Sequence, residues 1–316
     1  MLINKFLDPK NDFAFKRIFG VERNKDILIH FINDILGFSG EKAIQTVSFL
    51  KTSQDPEVAY KKQSILDVLC ADELGRQYII EMQVAKTPGF EKRAQYYAAK
   101  AYGNQLNQGE DYHNLKEIIF IAITNFIMFP DKPDYKSDHV ILDKKHLTHD
   151  LKDFSFTFIE LPKFNKTIDE LSTIVEKWTY FFKHAEGTHE KELTRIAGAD
   201  AVIERAYEEL NRFSWSRQEL FTYEQETKHE LDNRLARELE RTEAITAARD
   251  AGHAEGFAVG EAKGIEQGIQ KGIEKSIEKG IQLEKEAIAR NLLREGLKPS
   301  IIATLTGLSA EAVEKL

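Results

Sequence analysis

The spacing of apolar positions in the first half of the chain changes period several times, and each change marks an element. Phe13, Phe15, Ile18 and Phe19 recur at helical spacing behind Asn11 and Asp12, either of which can accept the first free amides, so a short helix running to about Phe19 is expected. A second helix is expected over 26–36, closed by Gly37. Residues 43–50 read as a first strand. Residues 64–71 and 78–84 read as the arms of a hairpin around Asp72-Glu73-Leu74-Gly75-Arg76. The helical period returns over 89–106 and stops before Gly109. Ile118-Ile119-Phe120-Ile121-Ala122-Ile123 is an unbroken apolar run of strand length, as in a strand covered on both faces, and 154–161 reads as a further strand. Helix, strands, helix and strand in this order predict an α/β fold: a mixed sheet flanked by helices, followed by a largely helical C-terminal region.

From about Thr167 the chain becomes rich in Glu, Lys and Arg. Amphipathic helices are expected over 168–184 and 191–213, and 218–249 continues with sparse apolar positions. Gly252, Gly256, Gly260, Gly264, Gly268, Gly272 and Gly280 then recur every four residues, with Ser276 completing the series and Ile265, Ile269, Ile273, Ile277 and Ile281 one step behind. Small residues on one ridge let a second helix approach closely. Each helical glycine costs about 1 kcal/mol relative to alanine. A four-residue period also drifts about 40° per repeat around a 3.6-residue helix. The segment is therefore expected to be a partly helical oligomerisation element or tether, with a flexible linker as the alternative. At 286–316, Gly296, Pro299, Gly307 and Ser309 punctuate a helix-turn-helix-like tail. Its last segment carries Glu311 and Glu314 against Lys315, which favours packing or self-association over reading DNA. The expected organisation is a core over 1–165, a helical region over 166–250, the repeat over 251–285 and the tail over 286–316.

Composition narrows the class. A 316-residue chain with 42% hydrophobic and 30% charged residues can bury a real core. Cys70 is the single cysteine, which excludes an internal disulfide and zinc sites built on two cysteines, and its place in a strand predicts a buried, inert thiol. With no secretory signal and no apolar run long enough to span a membrane, a cytoplasmic protein without membrane association is expected. The net charge of −8 is uneven: residues 1–110 sum to +1 and the remainder to −9. Nucleic acid would therefore be held by a local groove of Lys and Arg, with modest, salt-sensitive attraction. His146 and His149 lie in a polar stretch without a third ligand and are expected in a solvated loop.

The hairpin carries the candidate chemistry. A three-residue loop of Glu73, Leu74 and Gly75 puts glycine where a left-handed residue is needed. Pairing Asp72 with Arg76 carries Asp67 opposite Glu81, two like charges that destabilise a sheet unless a cation lies between them. Glu81 and Gln83 leave the same face. Two carboxylates and waters are the usual donors for Mg²⁺ bound together with a phosphate substrate. On the residues alone, solvent-facing hairpin positions and a cation site both remain open.

Asp67 followed by Glu81-Met82-Gln83 resembles the PD-(D/E)XK nuclease superfamily, and further segments resemble its recombination-promoting nuclease and transposase family. These are Asp8 to Gly20, with Asp12, Phe13, Phe15, Lys16 and Phe19; the stretch Phe90 to Leu106, with Arg93 and Tyr97; Gly109 to Tyr112; and Ile159-Glu160-Leu161-Pro162-Lys163-Phe164. The likeness is strong in the first half and looser in the helical second half. It implies a restriction-endonuclease-like core and a metal-dependent DNA endonuclease linked to recombination or transposition. Asp67 and Glu81 would hold Mg²⁺ (or Mn²⁺), Gln83 would position the attacking water, and Asp12, Lys16, Arg93 and Tyr97 would face the DNA. The family pattern usually ends in lysine where this chain has Gln83, which can orient a water but adds no charge. Glu57, Lys61 and Lys62 are nearby candidates to assist. Two other readings remain: a catalytically weak DNA-binding or assembly protein that keeps the fold, and a homo-oligomeric scaffold acting through the C-terminal repeats.

Overall fold

Asn11 starts the first element by accepting hydrogen bonds from the amides of Phe13 and Ala14, and α1 (Asp12–Phe19) buries Phe15, Ile18 and Phe19. The structure is a computed structural model and describes residues 4–54, 64–198 and 200–316. Helix α2 (Lys25–Leu36) ends at Gly37, whose φ of +68° only glycine adopts without strain. Strand β1 (Val47–Phe49) is shorter than expected because the Asn33 side chain engages both the N–H and the C=O of Ile44, at 2.9 and 3.0 Å, and holds that stretch off the sheet. β2 (Ser53–Gln54) pairs with β3 (Ser64–Ile65); Glu57, Lys61 and Lys62 lie outside the described residues.

The hairpin of β4 (Val68–Asp72) and β5 (Gln77–Gln83) has the expected register, from Ala71 opposite Gln77 to Val68 opposite Ile80. Gly75 has φ +82° and donates to the Asp72 carbonyl. The Asp72 carboxylate accepts from the amides of Leu74 and Arg76 at 2.9 Å and meets the Arg76 guanidinium at 2.6 Å. Local charge and turn chemistry thus fix the register. Helix α3 (Phe90–Gly103) crosses over to β6 (Ile118–Thr124), and β7 (Lys136–Val140) and β8 (Phe154–Glu160) complete a sheet of order β1-β4-β5-β6-β8-β7. β5, β6 and β8 run parallel and the other pairings are antiparallel. Edge strand β7 was not anticipated, since Lys-Ser-Asp-His-Val carries no apolar alternation.

All seven residues of β6 are buried because both faces are covered. Ile119, Ile121 and Ile123, with Tyr78, Ile80 and Met82, join a core with α1, α2 and the helices that follow β8; Ile118, Phe120 and Ala122, with Ile79, pack with α3. Those later helices are α4 (Ile174–His184), α5 (Glu190–Ala197) and α6 (Ala201–Glu209). The first begins later than expected because Thr173 and Glu176 form a capping box there. The single helix expected over 191–213 is two, broken at Gly198 (φ +60°) and restarted by the Asp200 cap. The Phe31 ring lies 5.1 Å from Phe19, 5.4 Å from Trp178 and 5.6 Å from Phe182, so α4 shares one aromatic core with α1 and α2.

Helix α7 (Arg217–Arg294) follows, then α8 (Pro299–Thr306) and α9 (Ala310–Glu314). The chain divides into two compact units, Met1–Arg234 and Leu235–Leu316. The glycine repeat, expected to be partly helical, lies within α7 along its whole length. In the tail, Ala289, Ile302, Leu308 and Val313 form a small core of their own. Among the described residues no helix is long and apolar enough to cross a membrane.

The segment Ile159-Glu160-Leu161-Pro162-Lys163-Phe164 has a structural role. Buried Glu160 accepts from the amides of Met128 and Phe129 at 2.6 and 3.2 Å and pairs with the Lys163 ammonium at 2.7 Å. Glu160→Ala leaves the 7% exposed Lys163 ammonium without its counter-charge, still donating to the Phe129 carbonyl at 2.7 Å, and is expected to lower unfolding stability by about 3 kcal/mol. Glu160→Leu combined with Lys163→Met is expected to recover part of that loss in denaturant titrations.

Candidate active site

Regular pairing would next join Leu66 to Met82. Instead the Leu66 N–H donates to the Thr52 carbonyl at 3.1 Å, and the Met82 N–H donates to Asp67 Oδ2 at 2.9 Å. The Asp67 N–H in turn donates to Glu81 Oε1 at 3.2 Å. Asp67 therefore does not sit in the ladder opposite Glu81 as expected: pairing ends at Val68, and two carboxylate side chains continue it. This avoids direct opposition of like charges within the ladder and gives each carboxylate a backbone donor. The departure also interrupts the strand expected over 64–71, leaving β3 and β4 on either side of Leu66 and Asp67.

The other residues singled out in the sequence converge here. Gln83 Nε2 donates to Glu81 Oε2 at 3.0 Å, and Gln83 Oε1 accepts from the Arg93 guanidinium. That guanidinium lies 4.8 Å from the ring of Phe90 and 5.8 Å from that of Tyr97, so α3 presents Arg93 on an aromatic shelf. From the other layer, the Lys16 ammonium is 2.8 Å from Asp12 and 3.9 Å from Asp67 Oδ1. Asp67, Glu81, Gln83, Arg93, Tyr97, Asp12 and Lys16 thus form one cluster at the C-terminal end of β5. By contrast, His146 pairs with Asp143 in an exposed loop, and Cys70 is buried with its thiol pushed up to about 12 by burial.

The electrostatics are those of a site short of positive charge. Burial first, and then the neighbouring Asp67, pushes Glu81 up to about 8. Burial likewise pushes Asp67 up to about 6, against the lowering effects of the Met82 amide, Lys16 and Arg93. Among the described residues no group of three or more His, Cys, Asp or Glu is placed to hold a metal. Two carboxylates with hard oxygen donors, Glu81 buried and Asp67 largely so, still fit a divalent cation whose shell is completed by waters and a phosphate oxygen, and a cation would offset the burial that raises both pKa values.

Sequence reasoning missed Glu230. Asn11 Nδ2 donates to the Tyr223 carbonyl at 3.3 Å and to Thr227 Oγ1 at 3.2 Å, docking the start of α7 on α1. Burial, then Asp8, Asp12 and Glu226, pushes Glu230 up to about 7. The spacing of Tyr223, Thr227 and Glu230 along one helical face was the available signal, but nothing in the sequence placed that face beside Asp12.

No curated protein and no solved structure matches the chain. The family model described as PD-(D/E)XK nuclease family transposase matches residues 9–239, a span that includes every residue of this cluster. The chain is a member of the PD-(D/E)XK nuclease family of transposases.

Proposed function

We propose that the chain is a divalent-metal-dependent DNA endonuclease acting in recombination or transposition, with Asp67 and Glu81 as ligands to Mg²⁺ or Mn²⁺. The observation that carries this reading is the pair of backbone-anchored carboxylates at the end of β5, Glu81 buried and Asp67 largely so, each with a pKa raised by burial. When bound, a divalent cation supplies Lewis acidity toward a phosphate oxygen and makes a bound water more acidic. Hydrolysis forms a bond from water oxygen to phosphorus and breaks the bond from phosphorus to the sugar oxygen. The water's proton passes to solvent, and the departing oxygen takes one from solvent. Gln83 keeps one amide hydrogen and one lone pair beyond its bonds to Glu81 and Arg93, enough to orient the water. Arg93 and Tyr97 on α3, and Asp12 and Lys16 on α1, flank the path of the DNA backbone.

A second proposal concerns the repeat. Ile265, Ile269, Ile273, Ile277 and Ile281 are roughly half exposed along α7. Around the helix, the Gly, Ile, Glu and Lys ridges follow one another in steps of about 100°. Lys271, Lys275 and Lys279 stack like charges four residues apart, as do Glu274 and Glu278. We propose that the occupant of this face is a second copy lying parallel. With Gly and Ile straddling the contact, a two-fold axis along the helices sets each copy's Ile against the other's Gly. It also runs each copy's Lys ridge on the same side as the other's Glu ridge. An antiparallel copy would set Ile on Ile and Lys on Lys. The 40° drift is absorbed by a right-handed crossing of about −40° to −50°.

Three outcomes are expected. Plasmid nicking in Mg²⁺ or Mn²⁺ falls at least about 100-fold in Asp67→Asn, which keeps an acceptor for the Met82 amide, and in Glu81→Gln; unaltered nicking in both would overturn Asp67 and Glu81 as the metal ligands, and a wild type that nicks nothing would leave only the DNA-binding or scaffold readings.

In the metal-free protein the folded state holds the Glu81 proton more tightly than the unfolded state. Stability is therefore fully present below the unfolded pKa and is lost as pH rises toward 8, by up to a few kcal/mol. Thermal unfolding in EDTA should show this slope in wild type and a flatter one in Glu81→Gln. Added Mg²⁺ should raise the wild-type midpoint at pH 8.5.

For the repeat, Ser276→Cys in a Cys70→Ser background should form an intermolecular disulfide, and Ile269→Asp with Ile273→Asp should abolish it and lower the mass in solution. A monomeric mass for the wild-type chain excludes the pairing.

A further inference from the structure

The superfamily pattern ends in lysine, and the structure gives a reason for its absence here. Gln83 lies between a carboxylate and a guanidinium, donating to Glu81 Oε2 at 3.0 Å and accepting from Arg93. A lysine at this position has no acceptor to offer Arg93 and would bring an ammonium against a fixed guanidinium. Arg93 acts on the two carboxylates through space while its guanidinium bonds Gln83 and rests over the rings of Phe90 and Tyr97. The position that usually carries the charge is occupied by a neutral bridge.

Among the described residues, the cation that pairs with Asp67 is Lys16. Its ammonium stands 3.9 Å from Asp67 Oδ1, the oxygen of that carboxylate not used by the Met82 amide. Its side chain is 38% exposed, so it can reach a substrate, and Asp12, one helical turn earlier at 2.8 Å, sets its direction. A lysine ammonium carries its charge throughout the neutral range at its ordinary pKa.

We infer that Lys16, presented from α1, is the catalytic residue that supplies the positive charge on the scissile phosphate, replacing from a different element the lysine that Gln83 displaces. This rests on the nuclease reading above. Lysine suits the role as a compact point charge on a flexible stem, able to follow the charge that builds on the phosphate oxygens as water attacks. An ordinary phosphate contact would strengthen DNA binding equally before and during the reaction. A transition-state contact instead acts mainly on kcat.

The test uses the full chain, a supercoiled plasmid for cutting, and a short fluorescent DNA duplex in EDTA for binding. Lys16→Met is expected to lower kcat about 100-fold or more while KM for the plasmid, and Kd for the duplex, change less than about threefold. Its thermal midpoint should stay close to wild type, because the Lys16–Asp12 pair is a half-exposed surface pair. Lys16→Cys in a Cys70→Ser background, aminoethylated to restore an ammonium, should recover most of the rate; the same protein alkylated with iodoacetamide should not. The inference is overturned if Lys16→Met cuts within about threefold of wild type, if Kd weakens in step with kcat, or if aminoethylation restores nothing. A wild-type protein that nicks no DNA removes the nuclease reading and this inference together, whereas an active wild type with an unimpaired Lys16→Met removes this inference alone.

Discussion

Where β4 would continue beside β5, the Leu66 amide turns to Thr52, and the Met82 amide is captured by the Asp67 carboxylate. This exchange puts a side chain where a backbone carbonyl would be. It brings Asp67 over the end of β5 and leaves its N–H facing Glu81. Charge-assisted bonds of this kind contribute about 1.5–3 kcal/mol each, less than the several kcal/mol that burying a carboxylate costs. The pair is therefore a local deficit, visible in the raised pKa values of both acids. The rigid parts around it sustain that deficit: β5 held between β4 and β6, and the aromatic core of Phe19, Phe31, Trp178 and Phe182 beneath α1. A site that is unfavourable until a ligand arrives needs a scaffold that does not relax around it.

Much of this was legible in the sequence because it is set locally. The hairpin register follows from Asp72, Gly75 and Arg76 within five residues, and α1 from Asn11 and its apolar spacing. The unbroken apolar run of β6 announces burial on both faces. What escaped was set by partners distant in sequence or by single-residue breaks. The departure at Leu66 depends on a carbonyl at Thr52, beyond the stretch 55–63. Asn33 delays β1 through Ile44, Gly198 divides an amphipathic run whose two halves keep the same polarity, and β7 forms at an edge where pairing with β8 substitutes for apolar alternation. In the cluster itself the residue types were readable, but the closeness of Lys16 to Asp67 is a fact of packing between α1 and the sheet.

The same distinction governs α7. Within Met1–Arg234 its first turns are specified by tertiary contacts: Tyr223 OH accepts from the Asp8 amide at 3.0 Å, and Asn11 reaches the Tyr223 carbonyl and Thr227. Within Leu235–Leu316 the repeat carries seven helical glycines, each costing about 1 kcal/mol, and its isoleucines bury little against their own helix. Local propensity alone gives such a segment only marginal helicity. The isoleucine ridge and the matched charge ridges are what a partner would use, and that is why pairing, rather than propensity, is the physical account offered for it.

The raised pKa values of Asp67, Glu81 and Glu230 mean that protons stand in for missing positive charge at this face. On the reading proposed here a bound cation displaces the protons of Asp67 and Glu81, and a role for Asp12 follows. At 2.8 Å it holds the Lys16 ammonium back, leaving 3.9 Å between that ammonium and Asp67 Oδ1. Were Lys16 to close fully on Asp67, it would neutralise the carboxylate and compete for the oxygen that a cation needs. A second carboxylate one turn away on the same helix keeps the ammonium near enough to act on a phosphate, yet clear of the metal ligand.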